Sequence, residues 1–139
     1  MTIKASIWEQ IKEETVDEFS LLAPDDFFDS TEDCYYLTGK GLGGGEHCRV
    51  LAEDLFKTML AQHYYPKYII LMDEAVSLLR EGEPLLPVFR EMEENGTTVC
   101  ASKKSILLYG WEEEIDPSFA EETATILDVL RVADKVITL

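Results

Sequence analysis

A nearly all-apolar run of five residues, 68–72 (Tyr-Ile-Ile-Leu-Met), constrains the fold of this chain more than any other feature of its sequence. A strand with one face in water alternates apolar and polar residues, whereas a strand of a parallel sheet that is covered on both faces reads as a continuous apolar run. Asp73 and Glu74 end the run abruptly. We therefore predict a central strand over residues 68–72, buried under helices on both sides.

Strand patterns and helix patterns alternate along the chain from residue 34 onwards. The predicted strands are 34–38, 68–72, 97–100 and 135–139. The predicted helices are 47–62, 75–79, 86–94 and 119–132, and residues 105–109 fit either a strand or a helix. Such alternation implies a parallel sheet with right-handed crossovers and helices on both faces. The predicted fold class is therefore α/β, a three-layer α/β/α sandwich with a mainly parallel sheet of four to five strands.

The segment 86–104 holds a candidate reactive group, the thiol of Cys100. Asn95-Gly96 ends the preceding helix, and the short strand that follows leads to Cys100, after which the chain turns polar. Reactive groups of open parallel sheets lie at the carboxyl ends of strands. A cysteine at such an end is placed to react, and Lys103 is a candidate stabiliser of its thiolate. The alternative is that Cys100 is a small buried hydrophobe, as free cysteines often are.

Five glycines in seven residues follow the first predicted strand and form a second candidate site. They are Gly39, Gly41, Gly43, Gly44 and Gly45. Such a backbone turns sharply and brings N–H groups close to an anion, and a strand, a glycine loop and a helix in this order cradle phosphates in nucleotide-binding folds. The spacing fits neither the dinucleotide fingerprint nor the P-loop. A flexible or interface-forming loop is therefore the alternative to nucleotide binding.

Asp73 and Glu74, at the end of the predicted central strand, are candidate binding or acid–base residues. Paired carboxylates at a strand end suit general acid–base work. Acids also begin helices, where they favour the helix dipole. Both interpretations stay open at the level of the sequence.

The charge of the chain restricts its partners. The 139 residues carry 28 acidic and 12 basic side chains, a net charge of −16. Because this charge repels nucleic acids and anionic membranes, we expect neither as a partner. It serves either as a solubilising surface or as a docking face for a basic protein. No apolar run approaches the ~20 residues of a membrane span and the N-terminus lacks the features of a secretory signal, so the expected location is the cytoplasm.

Neither a disulfide framework nor a metal site is expected. The three cysteines, Cys34, Cys48 and Cys100, are an odd number scattered over the chain. Two histidines are too few for a zinc site, although His47 directly precedes Cys48. We therefore expect no bound metal and no cofactor.

Residues 1–33 form an acidic and aromatic N-terminal extension to a predicted domain over residues 34–139. Apolar residues at helical spacing begin it: Ile3, Ile7, Trp8 and Ile11. An acidic segment that contains Phe27 and Phe28 follows. Aromatic residues in this number indicate that the extension packs somewhere, for instance at a sheet edge or a subunit interface.

Residues 68–96, which read YIILMDEAVSLLREGEPLLPVFREMEENG, and the cysteine at position 100 resemble the DsrE/DsrF-like family. The likeness is greatest to the DsrE-like domain of the YedF-type proteins linked to selenium metabolism. The matching features are the buried strand, Glu81-Gly82-x-Pro84, a helix that ends in Glu-x-x-Gly, and a strand that ends in cysteine. Tyr109-Gly110 and the closing residues 133–139 are also similar, so the resemblance covers about residues 34–139.

The resemblance implies a compact α/β protein that assembles into homo- or hetero-oligomers, and we expect a homo-oligomer. Some members of the family pass sulfur as a cysteine persulfide. The resemblance places the persulfide on Cys100 and makes a sulfur donor or acceptor protein the partner. The chain departs from the family where Asp73-Glu74 replaces Asn-Ser and where Lys103 stands in place of a second cysteine. One thiol is enough for a carrier. The sequence therefore favours a sulfur-relay protein, a persulfide carrier or sulfurtransferase-like protein, and the alternative is a non-catalytic acidic interaction scaffold of the same fold.

Overall fold

A five-stranded parallel sheet forms the centre of residues 32–139, the part of the chain that a computed structural model describes. The strands are β1 (Asp33–Leu37), β2 (Tyr68–Leu71), β3 (Thr98–Ser102), β4 (Ala120–Glu121) and β5 (Lys135–Thr138). They lie in the order β4-β3-β2-β1-β5, and every neighbouring pair is parallel. Because β2 lies in the middle and Ile69, Ile70 and Leu71 are fully buried, the prediction of a central strand at this position is confirmed.

Helices connect the strands and cover both faces of the sheet. The α-helices of residues 32–139 are α1 (Cys48–Ala61), α2 (Leu86–Glu94), α3 (Lys103–Tyr109) and α4 (Thr123–Val132), and the 3₁₀ helices are Asp73–Leu79 and Pro117–Phe119. Successive side chains of a strand point to opposite faces. Ile69 and Leu71 therefore join a core with α1, α2 and α3, whereas Ile70 joins a core with α4. The predicted three-layer α/β/α sandwich is confirmed.

The two cores differ in size. The larger one is centred on Phe56 of α1 and Phe89 of α2, two fully buried rings that pack edge to face with centroids 5.1 Å apart. The smaller one lies between the sheet and α4, and its buried members are Cys34, Ile70, Cys100, Ile126 and Val129. Two of the three cysteines thus belong to the core under α4.

Strand β3 is longer than predicted, and this changes the position of Cys100. The strand continues through Ala101 and Ser102 because these residues pair with Ala120 and Glu121 of β4. Both are almost completely buried, so a segment that looks polar in sequence is a buried strand end. Cys100 therefore lies in the middle of β3, and the prediction that it ends the strand is wrong.

The segments on either side of β4 also differ from the prediction. The sequence indicates one helix over 119–132. In the structure Ala120–Glu121 form strand β4, which pairs with β3, and helix α4 begins only at Thr123. Residues 105–109, which fit a strand or a helix, belong to helix α3. The Ser102 hydroxyl oxygen caps this helix by accepting a hydrogen bond from the N–H of Ser105, and Gly110 ends it at a φ of 72°.

The predicted N-terminal helix and the pair Phe27-Phe28 lie outside the described residues. The boundary between an extension over 1–33 and a domain over 34–139 stays a prediction.

The glycine loop after β1 folds back onto the start of α1. The N–H of Leu42 donates to the carbonyl oxygen of Cys48 over 3.0 Å, and the N–H of Cys48 donates to the carbonyl oxygen of Gly45 over 3.2 Å. Gly41 is so close to α1 that a Cβ atom on it would lie 2.2 Å from the Cys48 carbonyl oxygen. Packing therefore requires a glycine at position 41, whereas Gly44 is exposed and has open space where a Cβ would be.

Gly41→Ala should lower the free energy of unfolding by about 1–3 kcal/mol, because the added methyl group overlaps backbone atoms that are part of helix α1. Gly44→Ala is the matched control, since it places the same group in open space and should change stability by less than about 1 kcal/mol. Urea unfolding followed by circular dichroism measures both. Equal effects of the two substitutions would contradict the packing role of Gly41.

Candidate functional site

The carboxyl ends of the parallel strands meet at one edge of the sheet, which we call the C-terminal edge. The glycine loop follows β1 there, Asp73 and Glu74 follow β2, and Lys103 follows β3. The topology therefore brings most of the predicted site residues to the edge at which open parallel sheets bind ligands. Cys100 is the exception, since it lies two residues before the end of β3.

The side chain of Cys100 is enclosed between the sheet and α4. It is 1% exposed and packs in the cluster that includes Ile126 and Val129. Burial raises the pKa of its thiol to about 11, and the nearby carboxylate of Glu121 adds to this rise. Cys100 is therefore a protonated core thiol near neutral pH.

The lysines that follow β3 do not lower the pKa of Cys100. The ammonium group of Lys103 points to Glu122 and forms an ion pair with its carboxylate over 3.0 Å. Burial and a neighbouring carboxylate both disfavour a thiolate, so these contacts weigh against the expectation that Lys103 favours the thiolate of Cys100. The family resemblance did not predict this environment of Cys100, because it rested on the cysteine itself and did not include Glu121 and Glu122.

Cys34 and Cys48 are also free and buried. Burial raises the pKa of the Cys34 thiol to about 11. Cys34 pairs with Tyr68 and Cys100 pairs with Ile70, so the two thiols lie on either side of β2. Two strand spacings amount to about 9–10 Å, which is beyond the Cα separation that a disulfide spans. No disulfide joins this pair in the folded protein.

Neither a metal cluster nor a membrane-spanning helix is found within residues 32–139. No group of three or more His, Cys, Asp or Glu side chains of this region is arranged to hold a metal ion. The side chains of the adjacent residues His47 and Cys48 lie in different environments, since His47 is exposed next to Glu46 whereas Cys48 is buried. No helix in this range is long and apolar enough to cross a bilayer.

Asp73 ties the end of β2 to helix α3. Its backbone has a φ of 56°, a left-handed conformation that is uncommon outside glycine. Its N–H donates to the Ser105 hydroxyl oxygen over 2.9 Å, and the Ser105 hydroxyl donates to that of Ser102 over 3.0 Å. Its carboxylate accepts a hydrogen bond from the Tyr109 hydroxyl over 2.8 Å. These contacts hold both ends of α3 against the central strand. Asp73 therefore stabilises the structure of the C-terminal edge.

A stack of three side chains beside Asp73 is not predicted by any motif of the sequence. The ring of Tyr109 lies parallel to that of Trp111, with centroids 4.6 Å apart. The guanidinium group of Arg80 lies over Trp111 at 4.7 Å from the ring centroid, and its Nε donates to Glu114 over 2.7 Å. Only the Tyr-Gly-Trp sequence hints at such a stack, because Arg80 is distant along the chain.

Apolar side chains are exposed next to this stack. Leu107, Leu108 and Tyr109, the last three residues of α3, are 49%, 75% and 39% exposed. Acids lie in the adjoining segments: Asp73 and Glu74 begin the 3₁₀ helix that α3 contacts, and Glu112 and Glu113 follow α3. The C-terminal edge therefore combines apolar surface with carboxylates, and the cysteine at this edge, Cys48 at the start of α1, is buried.

Comparison with known proteins finds a match among solved structures. No family model matches this chain, and no curated protein matches it. Among solved structures, the chain is similar to the ychN protein of E. coli, with a TM-score of 0.58 and 16% sequence identity. The likeness covers 78% of this chain and 100% of the other. At this identity the likeness is one of fold, and because the ychN protein has a DsrE/DsrF-like fold, it supports the DsrE-like fold that the sequence indicates.

Proposed function

We propose that this protein is a non-catalytic interaction scaffold with a DsrE-like fold, which binds a basic protein partner. One observation carries the proposal. The C-terminal edge presents leucines and carboxylates, while Cys100 is enclosed in mid-strand under α4. This edge is suited to contact with a protein, and the thiol is not in a position to exchange sulfur.

The persulfide-carrier hypothesis is the competing function. A carrier needs a thiolate that a donor persulfide can reach. With a pKa of about 11, on the order of one Cys100 thiol in ten thousand is ionised at pH 7, and α4 would have to move before a donor made contact. Cys100 as persulfide acceptor and Lys103 as its stabiliser therefore remain predictions that the burial and the ion pair weigh against.

The charge of the protein supports a basic partner. Residues 32–139 carry 20 acidic and 10 basic side chains, a net charge of −10. Several of the basic side chains already pair with acids: Arg49 with Glu83, Lys57 with Glu53, Arg80 with Glu114, Arg90 with Asp116 and Lys103 with Glu122. The excess acids are left to attract a cationic protein and speed its approach. The expected cytoplasmic location stays a prediction.

We also propose that the protein forms a homo-oligomer through α4 and β5. Leu127, Val132 and Val136 are exposed large aliphatic side chains on these two elements. Residues 123–139 carry two acids and two bases, so this surface is neutral on a strongly acidic chain. Two copies repel each other least where they meet through such a surface.

Alkylation of native protein by iodoacetamide, read by mass at each cysteine between pH 7 and pH 11, separates scaffold from carrier. We expect Cys100 to react slowly up to pH 9 and faster as the pH approaches 11, because its raised pKa keeps the thiol protonated. In urea all three cysteines should react at similar rates. A native Cys100 that reacts first, with a midpoint below the ~8.5 of a free thiol, would establish the carrier and refute the scaffold.

Leu127→Asp should dissociate the oligomer, because it places a charge on the neutral surface of α4 and β5. Sedimentation velocity at micromolar concentration should show more than the 15.8 kDa monomer for the original chain and the monomer for the variant. Val50→Asp, at an exposed valine of α1, is the control and should leave the assembly unchanged. A monomeric original chain would defeat the homo-oligomer proposal.

A further inference from the structure

Helix α3 exposes an apolar surface that its own fold does not use. The helix buries Ser105 and Ile106 and turns its last three residues outwards. Leu108 is 75% exposed, the largest value among the exposed large apolar residues of the described chain. Adjacent exposed leucines on a short helix are typical of a surface that another molecule covers.

This surface is held in a fixed conformation before any partner arrives. The Ser102 cap and Gly110 determine where α3 begins and ends. Tyr109 is held on one side by its hydrogen bond to Asp73 and on the other by the ring of Trp111. Binding to side chains that are already ordered loses less conformational entropy, and a tyrosine with an apolar ring and a polar tip is a frequent anchor of protein interfaces.

Carboxylates adjoin the apolar surface. Asp73 and Glu74 lie close enough to Tyr109 that both raise its pKa, Asp73 chiefly through the hydrogen bond that it accepts. Glu112 and Glu113 are exposed directly after the helix. At the other end of α3, Lys103 forms an ion pair with Glu122, and Lys104 is an exposed cation.

We infer that helix α3 carries the docking site for an amphipathic helix with basic flanks on a partner protein. The site, which we call the α3 patch, consists of Leu107, Leu108 and Tyr109 with the carboxylates of Asp73, Glu74, Glu112 and Glu113. An apolar stripe of such a helix covers the two leucines, and its lysines or arginines lie against the carboxylates. The inference rests on the proposed scaffold function and adds the place of contact and the kind of partner. Nucleic acids and anionic lipid surfaces are repelled by the same carboxylates.

The test uses the full chain and a fluorescein-labelled amphipathic helical peptide of leucine and lysine, with fluorescence anisotropy at low salt. Leu108→Ser should weaken peptide binding at least tenfold. Leu51→Ser is the matched control, since Leu51 is an exposed leucine of α1 and its loss should change binding less than twofold. Circular dichroism checks that both variants are folded, as expected for substitutions at the surface.

A second pair of variants tests the charges. Glu112→Gln with Glu113→Gln should weaken binding and reduce its dependence on salt, because these exposed carboxylates lie in the segment that follows α3. Glu91→Gln with Glu94→Gln removes the same charge from exposed positions of α2 and should have the smaller effect. A larger effect of the α2 pair would overturn the inference.

The outcomes separate the inference from the function on which it rests. If the peptide does not bind the original chain at low salt, both the scaffold function and the α3 patch are refuted. If the peptide binds but Leu108→Ser and Leu51→Ser act alike, the acidic scaffold stands and the α3 patch is refuted. Equal binding of a peptide with the same composition in scrambled order also refutes the patch, since charge alone would then account for the affinity.

Discussion

The burial of β2 on both faces is the constraint on which the rest of the structure depends. Ile69, Ile70 and Leu71 are fully buried, and the strand pairs along its length with β1 and β3. In this register Val99 lies beside Ile69 and Cys100 beside Ile70. A shift by one residue would exchange the faces of β3 and move Val99 out of the larger core. The apolar run of the central strand therefore also determines that Cys100 faces α4.

The same register decides which residue occupies the end of β3. That residue is Ser102, whose hydroxyl caps α3 and joins Ser105 in the network that reaches Asp73. The hydrogen bonds at this edge stabilise the connection between β2 and α3, and they leave the outer surface to leucines and carboxylates. The edge at which the resemblance to a sulfur-relay family implied a thiol thus carries leucines and carboxylates, and it is the surface that we propose for protein contact.

The sequence predicted the features that depend on local pattern. The apolar run identified β2, and Asn95-Gly96 marked the end of α2, where Gly96 has a φ of 107°. It did not predict the length of β3, because Ala101 and Ser102 become strand only by pairing with the two residues of β4.

The environment of Cys100 was beyond the reach of the sequence for the same reason. The residues that cover it, Ile126 and Val129, are more than twenty positions further along the chain. The stack of Arg80 on Trp111 likewise joins segments that no spacing rule connects. Properties set by residues distant in sequence need the fold before they can be assigned.

The central claim is that Cys100 is a core residue and not a sulfur carrier, and incubation of the native protein with a polysulfide tests it most directly. The intact mass of the native chain is compared with that of Cys100→Ser after excess polysulfide is removed. We predict that Cys100 gains no sulfur in the native state, because its thiol is enclosed under α4 and protonated near neutral pH. A stoichiometric gain of one sulfur atom that is lost in Cys100→Ser would contradict the account.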